Sequence, residues 1–101
     1  MIDRISKNEE RLDKLLESIK KLNNALDEFE SNKKDLDLLK KYYGSKTWFK
    51  DKELYESEKI KNIKAGVLSE DAVWNMLDEI DELMNRMKNY TSWYRRTYEY
   101  R

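Results

Sequence analysis

The sequence predicts an all-α protein, a long antiparallel helical hairpin of coiled-coil type with short helices in the connecting segment, and three observations carry that prediction. Proline is absent and glycine occurs only at Gly44 and Gly66, so the strongest helix breakers are confined to two points. Charged residues make up 42% of the 101 residues against 39% hydrophobic, a balance that suits solvated helices and leaves little for strands. From Ile5 onward, apolar residues recur at heptad spacing.

The first helix is expected over 3–43. Ile5, Leu12, Ile19 and Leu26 take the a positions of the heptad, and Leu15, Leu22, Phe29, Leu36 and Tyr43 the d positions. Leu16 and Leu39 widen the stripe beyond a bare seam, which favours a bundle over an isolated two-stranded rod. Asn8 falls at d, and Lys33 and Lys40 at a. The lysine stems can lie along apolar surface with their ammonium groups in water, or such polar sites can set register and partner number. Gly44 is placed to close the helix in the left-handed conformation, and Lys40 and Lys41 favour the negative end of its dipole.

The connecting segment, 44–68, is too long for an ordinary helix-to-helix loop and is expected to hold structure of its own. Ser45 or Thr47 can cap a short helix carrying Trp48, Phe49, Leu54 and Tyr55 as apolar bulk for docking. A second short helix is expected to hold Ile60 and Ile63 on one face and to end at Gly66.

The second long helix, 69–99, has the best-marked start: Ser69 as N-cap, Glu70 and Asp71 in the first turn, and Leu68 and Val73 as a hydrophobic staple. Val73, Leu77, Ile80, Met84, Met87, Thr91, Tyr94 and Tyr98 then alternate at spacings of four and three, with Met76, Leu83 and Tyr90 broadening the face. Two helices cannot cover both wide stripes. The middle segment, a second protomer or another protein must complete the core.

Chemistry finds few handholds. Histidine and cysteine are both absent, which removes the usual nucleophilic triads, thiolate ligands and disulfides. No P-loop, glycine-rich dinucleotide turn or histidine-carboxylate metal motif occurs. Asp78, Glu79, Asp81 and Glu82 form the densest acidic run, but one-turn spacing sets them on the polar side of a helix whose other side carries Leu77, Ile80 and Met84. Asp51, Glu53, Glu56 and Glu58 are interleaved with Lys50, Lys52 and Lys59. No catalytic residue, metal site or cofactor is therefore expected, and the chain reads as a non-enzyme. Lys plus Arg equals Asp plus Glu at 21 each, so no global field draws it to nucleic acid or anionic lipid. The first ten residues hold no apolar run of signal-peptide length, no membrane span is apparent, and the expected location is cytoplasmic.

The tail from Tyr90 to Arg101 mixes aromatics with arginine. Tyr90, Tyr94 and Tyr98, one turn apart, can continue the core stripe. Trp93, Tyr94 and Tyr98 with Arg95 and Arg96 can instead anchor a protein interface, or stack on bases and neutralise phosphates. Charge weighs against nucleic acid, because Arg95, Arg96 and Arg101 are offset by Glu99 and by the acidic run of the same helix.

Two stretches, Tyr42-Tyr43-Gly44-Ser45 with Trp48, Phe49 and Asp51, and Gly66-Val67-Leu68-Ser69-Glu70-Asp71-Ala72-Val73, resemble a small bacterial family filed as a domain of unknown function (domain-of-unknown-function family 4298). The resemblance runs from about residue 3 to about residue 90 and leaves the tail outside. It implies an all-helical bacterial protein, cytoplasmic, with no catalytic or ligand residue to carry over. The functional expectation is a protein-protein interaction or oligomerisation module, a homodimer among the options. Leu12, Leu15, Ile19, Leu22 and Leu26 would form its seam, and Trp93, Tyr94 and Tyr98 an aromatic anchor. The alternative is a small nucleic-acid-associated regulator using Arg95, Arg96 and the tail aromatics.

Overall fold

A computed structural model describes residues 1–60 and 62–99. The protein is all-α, with no strand among the described residues: α1 (Ile2–Ser31), α2 (Lys33–Tyr42), α3 (Lys46–Glu56), a 3-10 helix (Gly66–Leu68) and α4 (Ala72–Thr97). The chain divides into two compact units, Met1–Lys41 and Tyr42–Arg101.

In the first unit, the helix expected to run unbroken over 3–43 is interrupted at Asn32. The cause is local. The Ser31 hydroxyl donates to the Glu28 carbonyl at 2.6 Å, the oxygen that would otherwise accept from the Asn32 amide four residues on. The Asn32 N–H turns instead to the Phe29 carbonyl at 3.0 Å, with φ −97° and ψ 3°. The α-helical pattern resumes at once, since the Leu36 amide reaches the Asn32 carbonyl at 3.0 Å. The disturbance is one tightened turn, in a pair of residues whose side chains compete with the helical backbone. No residue of α1 or α2 is buried; Phe29, Leu36 and Leu39 are half-buried.

The second unit is organised by the turn after α2. Gly44 adopts φ +77°, the left-handed conformation expected of it, and nothing lies within 4 Å of a Cβ built there. Its backbone angle, and not crowding, is what calls for glycine. Ser45 then caps α3, its Oγ accepting from the Trp48 amide at 3.1 Å. Of the bulky residues on α3 only Trp48 is buried, at 3% exposure, while Phe49, Leu54 and Tyr55 stay exposed.

Trp48 meets the far end of the connecting segment. Its indole Nε1–H donates to the Val67 carbonyl at 2.9 Å, and α3 and α4 both pack on the 3-10 helix. Among the described residues, Leu68 at 8% and Val73 at 3% complete the buried set, which places both members of the expected staple in this small core. Ser69 Oγ accepts from the Ala72 amide at 3.0 Å, but regular helix starts only at Ala72, so Asp71 and not Ser69 is the N-cap, and Glu70 and Asp71 precede the first turn.

The second short helix, expected around Ile60 and Ile63, does not form. Among the described residues, 57–65 is a run of turns and bends, with Glu58 at φ 62° and Asn62 at φ 63°. Neither angle is compatible with a right-handed helix. Gly66, assigned as a helix stop, opens the 3-10 helix instead.

Two stability measurements test these local accounts. Trp48→Phe keeps a ring but leaves the Val67 carbonyl without its donor, and is expected to cost about 2 kcal/mol in urea unfolding, against less than about 0.5 kcal/mol for exposed Phe49→Ala. Ser31→Ala removes the hydroxyl that competes for the Glu28 carbonyl and should raise both helical circular dichroism and stability, by about 0.5 kcal/mol.

Candidate interaction surfaces

The seam residues of α1 are built as heptad spacing requires, and they face solvent. Leu12 is 49% exposed, Leu15 62%, Ile19 54%, Leu22 60% and Leu26 41%; Ile5 and Leu16 are exposed with them. Opposite-charge pairing on this helix is sparse: Lys21 lies 4.0 Å from Glu17, an exposed i,i+4 pair of small energetic weight.

The tail aromatics are exposed too, so the stripe of α4 does not continue the buried core past its half-buried residues Met76, Leu77 and Ile80. The rings gather instead on one another. Trp93 stands edge-on to Tyr94 at 6.5 Å and to Tyr98 at 6.0 Å, and Tyr94 and Tyr98 lie 5.2 Å apart. Arg96 folds back, its Nε donating to the Ser92 carbonyl at 3.4 Å, while Arg95 is exposed. One turn earlier the Arg86 guanidinium lies 5.7 Å from the centre of the Tyr90 ring, a cation–π pair readable from i,i+4 spacing. Tyr100 and Arg101 lie outside the described residues.

Around Trp48 sits a polar frame that helical periodicity did not reveal. The Tyr42 hydroxyl donates to Asp51 Oδ2 at 2.6 Å, and the Tyr43 hydroxyl to the Glu70 carbonyl at 2.6 Å. Lys52 Nζ reaches Glu70 Oε1 at 2.9 Å and lies 5.3 Å from the Trp48 ring centre. Tyr43 and Phe49 meet the same indole edge to face. The hydrogen-bonded partners of this frame stand nine to twenty-seven residues apart, outside any helical period. Tyr42, Tyr43, Asp51 and Glu70 were marked in the sequence by membership of the two turn stretches, which here come together.

The electrostatics follow from these contacts. The hydrogen bond to Asp51, then burial and the carboxylate's charge, push the Tyr42 hydroxyl up to about 12. The Lys52–Glu70 hydrogen bond raises the lysine and lowers the glutamate relative to their ordinary values. A shallow cleft of 390 Å³ beside this frame is lined by Lys52, Tyr55, Glu56, Ser69, Glu70 and Asp71, among others. Its ammonium is already held by Glu70. Among the described residues no three carboxylates converge on a metal position, and Asp78, Glu79, Asp81 and Glu82 line an exposed face. No helix among the described residues is long and apolar enough to cross a membrane.

Helices alone, a tryptophan clasp joining two turn stretches, and two uncovered apolar stripes define a small all-α protein whose conspicuous features are surfaces. The chain belongs to the family described as Domain of unknown function (DUF4298), whose model matches residues 5–90. That span contains the α1 seam and both halves of the clasp and stops before Trp93, Tyr94, Arg95, Arg96 and Tyr98. No curated protein and no solved structure matches the chain.

The Tyr42–Asp51 bond has a pH signature. Because the tyrosine's folded pKa lies above its ordinary 10.0, its contribution is complete below that value and is lost as pH climbs towards about 12. Tyr42→Phe should lower stability by about 1 kcal/mol near neutral pH, and the gap to the unsubstituted protein should close between pH about 10 and about 12, read by denaturant titration.

Proposed function

We propose that this chain is a non-catalytic helical module, bacterial and cytoplasmic, that works by associating with protein through the seam of α1, a second copy of itself being the first partner. The observation that carries the reading is the exposure of Leu12, Leu15, Ile19, Leu22 and Leu26, each at least 41% open to solvent on one face of a 30-residue helix. A contiguous apolar stripe of that length marks a contact surface. An isolated helix with no buried residue also gains most of its stability from whatever covers it.

The tail cluster around Trp93 and Tyr98 supplies a second surface for protein, since exposed aromatics beside arginine make large rigid contacts. The nucleic-acid reading has less behind it. The rings are engaged with one another, Arg96 is turned back on its own helix, and the acidic run Asp78–Glu82 lies on the same helix.

Light scattering over a concentration series tests the seam. The unsubstituted chain should reach twice its monomer mass, and Leu15→Asp combined with Leu22→Asp should stay monomeric throughout. With Trp74→Phe and Trp93→Phe in the background, so that Trp48 is the sole indole, its fluorescence should be unchanged in that variant, showing that the clasp is intact. A chain that remains monomeric at the highest concentration overturns the reading.

A further inference from the structure

The polar residues that border the α1 seam discriminate between the two ways a pair of such helices can lie. With Ile5, Leu12, Ile19 and Leu26 at a, Asn8 stands at d, Arg4 and Arg11 at g, and Glu9, Leu16 and Asn23 at e. Asn8 is exposed. Its Nδ2 donates to the Arg4 carbonyl at 2.9 Å, and its Oδ1 accepts from Arg11 Nη1 at 3.0 Å. An amide has two donors and two acceptor lone pairs, so this one retains capacity toward a neighbouring helix.

Resting on the self-association reading above, we propose that the second copy lies parallel to the first and in register, pairing Ile5 to Phe29, with Asn8 opposite its own equivalent and Arg4 of each copy facing Glu9 of the other. In a parallel pair a meets a, d meets d, and each g residue reaches the e residue five positions on in the partner. The two Asn8 amides then meet and can satisfy each other, the role in which a polar core residue specifies register. Arg4 meets the opposite charge of Glu9. The Arg11 stem lies over Leu16, and Ser18 lies beside Asn23.

Antiparallel pairing with the same overlap sets a against d. Asn8 then faces Leu26, so its remaining donor and acceptor capacity meets no polar group of the other copy, which is costly inside a seam. The flanks change as well, because g now borders g and e borders e. Arg4 lies towards Asn32 and Glu9 towards Asn23, and no opposite charges meet. The paired stretch ends naturally at Phe29. The turn at Asn32 follows it, and beyond that turn Lys33 and Lys40 occupy a positions.

The chain has no cysteine, so single substitutions report the alignment directly in the full-length protein. Leu12→Cys and Leu26→Cys place thiols at a positions near opposite ends of the seam. Parallel, in-register pairing brings each thiol to its own equivalent, within disulfide reach. In the antiparallel pair the two residues 12 lie about 15 Å apart, and Leu12→Cys would bond only to Leu22→Cys. Under a glutathione redox buffer, at concentrations where light scattering shows the dimer, each of Leu12→Cys and Leu26→Cys alone should form a disulfide-linked dimer.

Cross-linking only in the mixture of Leu12→Cys with Leu22→Cys, or no cross-linking in a protein that still dimerises, overturns the parallel alignment and leaves self-association standing. A monomer at every concentration removes both. Without any thiol, Arg4→Glu should weaken the dimer ~tenfold, and adding Glu9→Arg should restore it. Failure of that restoration also counts against the alignment.

Discussion

The burial of Trp48 is the constraint on which the second unit depends. One indole packs between α3 and the 3-10 helix, on which α4 also packs, and its N–H ties α3 to the Val67 carbonyl. Leu68 and Val73 are the other members of the buried core among the described residues. A core of this size stabilises by shape and by satisfied polar groups as much as by area, which is why its borders are so fully bonded: Tyr43 to the Glu70 carbonyl, Tyr42 to Asp51, and Lys52 to Glu70. Gly44 and Ser45 precede all of it, because the left-handed turn and the cap deliver Trp48 to the right place.

The first unit has the opposite character. Its helices bury nothing completely, and the aliphatic residues of α1 lie open along one face. Helix propensity alone holds such an element weakly in water. The proposed copy-to-copy seam gives Asn8, Arg4 and Glu9 a common purpose. In a lone helix they are ordinary exposed polar residues.

Much of this was legible from residue spacing. The heptads of α1, the left-handed turn at Gly44, the Ser45 cap and the burial of Leu68 and Val73 are local features, decided within a turn or two of chain. The interruption at Asn32 was missed because the heptad pattern passes over it undisturbed; its cause is a Ser31 hydroxyl competing for one carbonyl, a matter of side-chain rotamer. The connection at 57–65 was misread because Ile60 and Ile63 share helical spacing, while the chain adopts positive φ at Glu58 and Asn62. Three residues of spacing are too few to outweigh that backbone geometry.

By itself, then, the sequence determined that the protein is helical, where the left-handed turn at Gly44 and the Ser45 cap fall, and which residues form the apolar stripe of its first helix, because each of these follows from short-range periodicity and backbone chemistry. Only the tertiary structure decided which aromatic residue becomes the core and which polar residues frame it. Trp48, Phe49 and Tyr55 are similar in kind and close in sequence, and what separates them is the arrival of Val67, nineteen residues from Trp48, with Leu68 beside it. Long-range closure of that sort leaves no periodic trace in a chain.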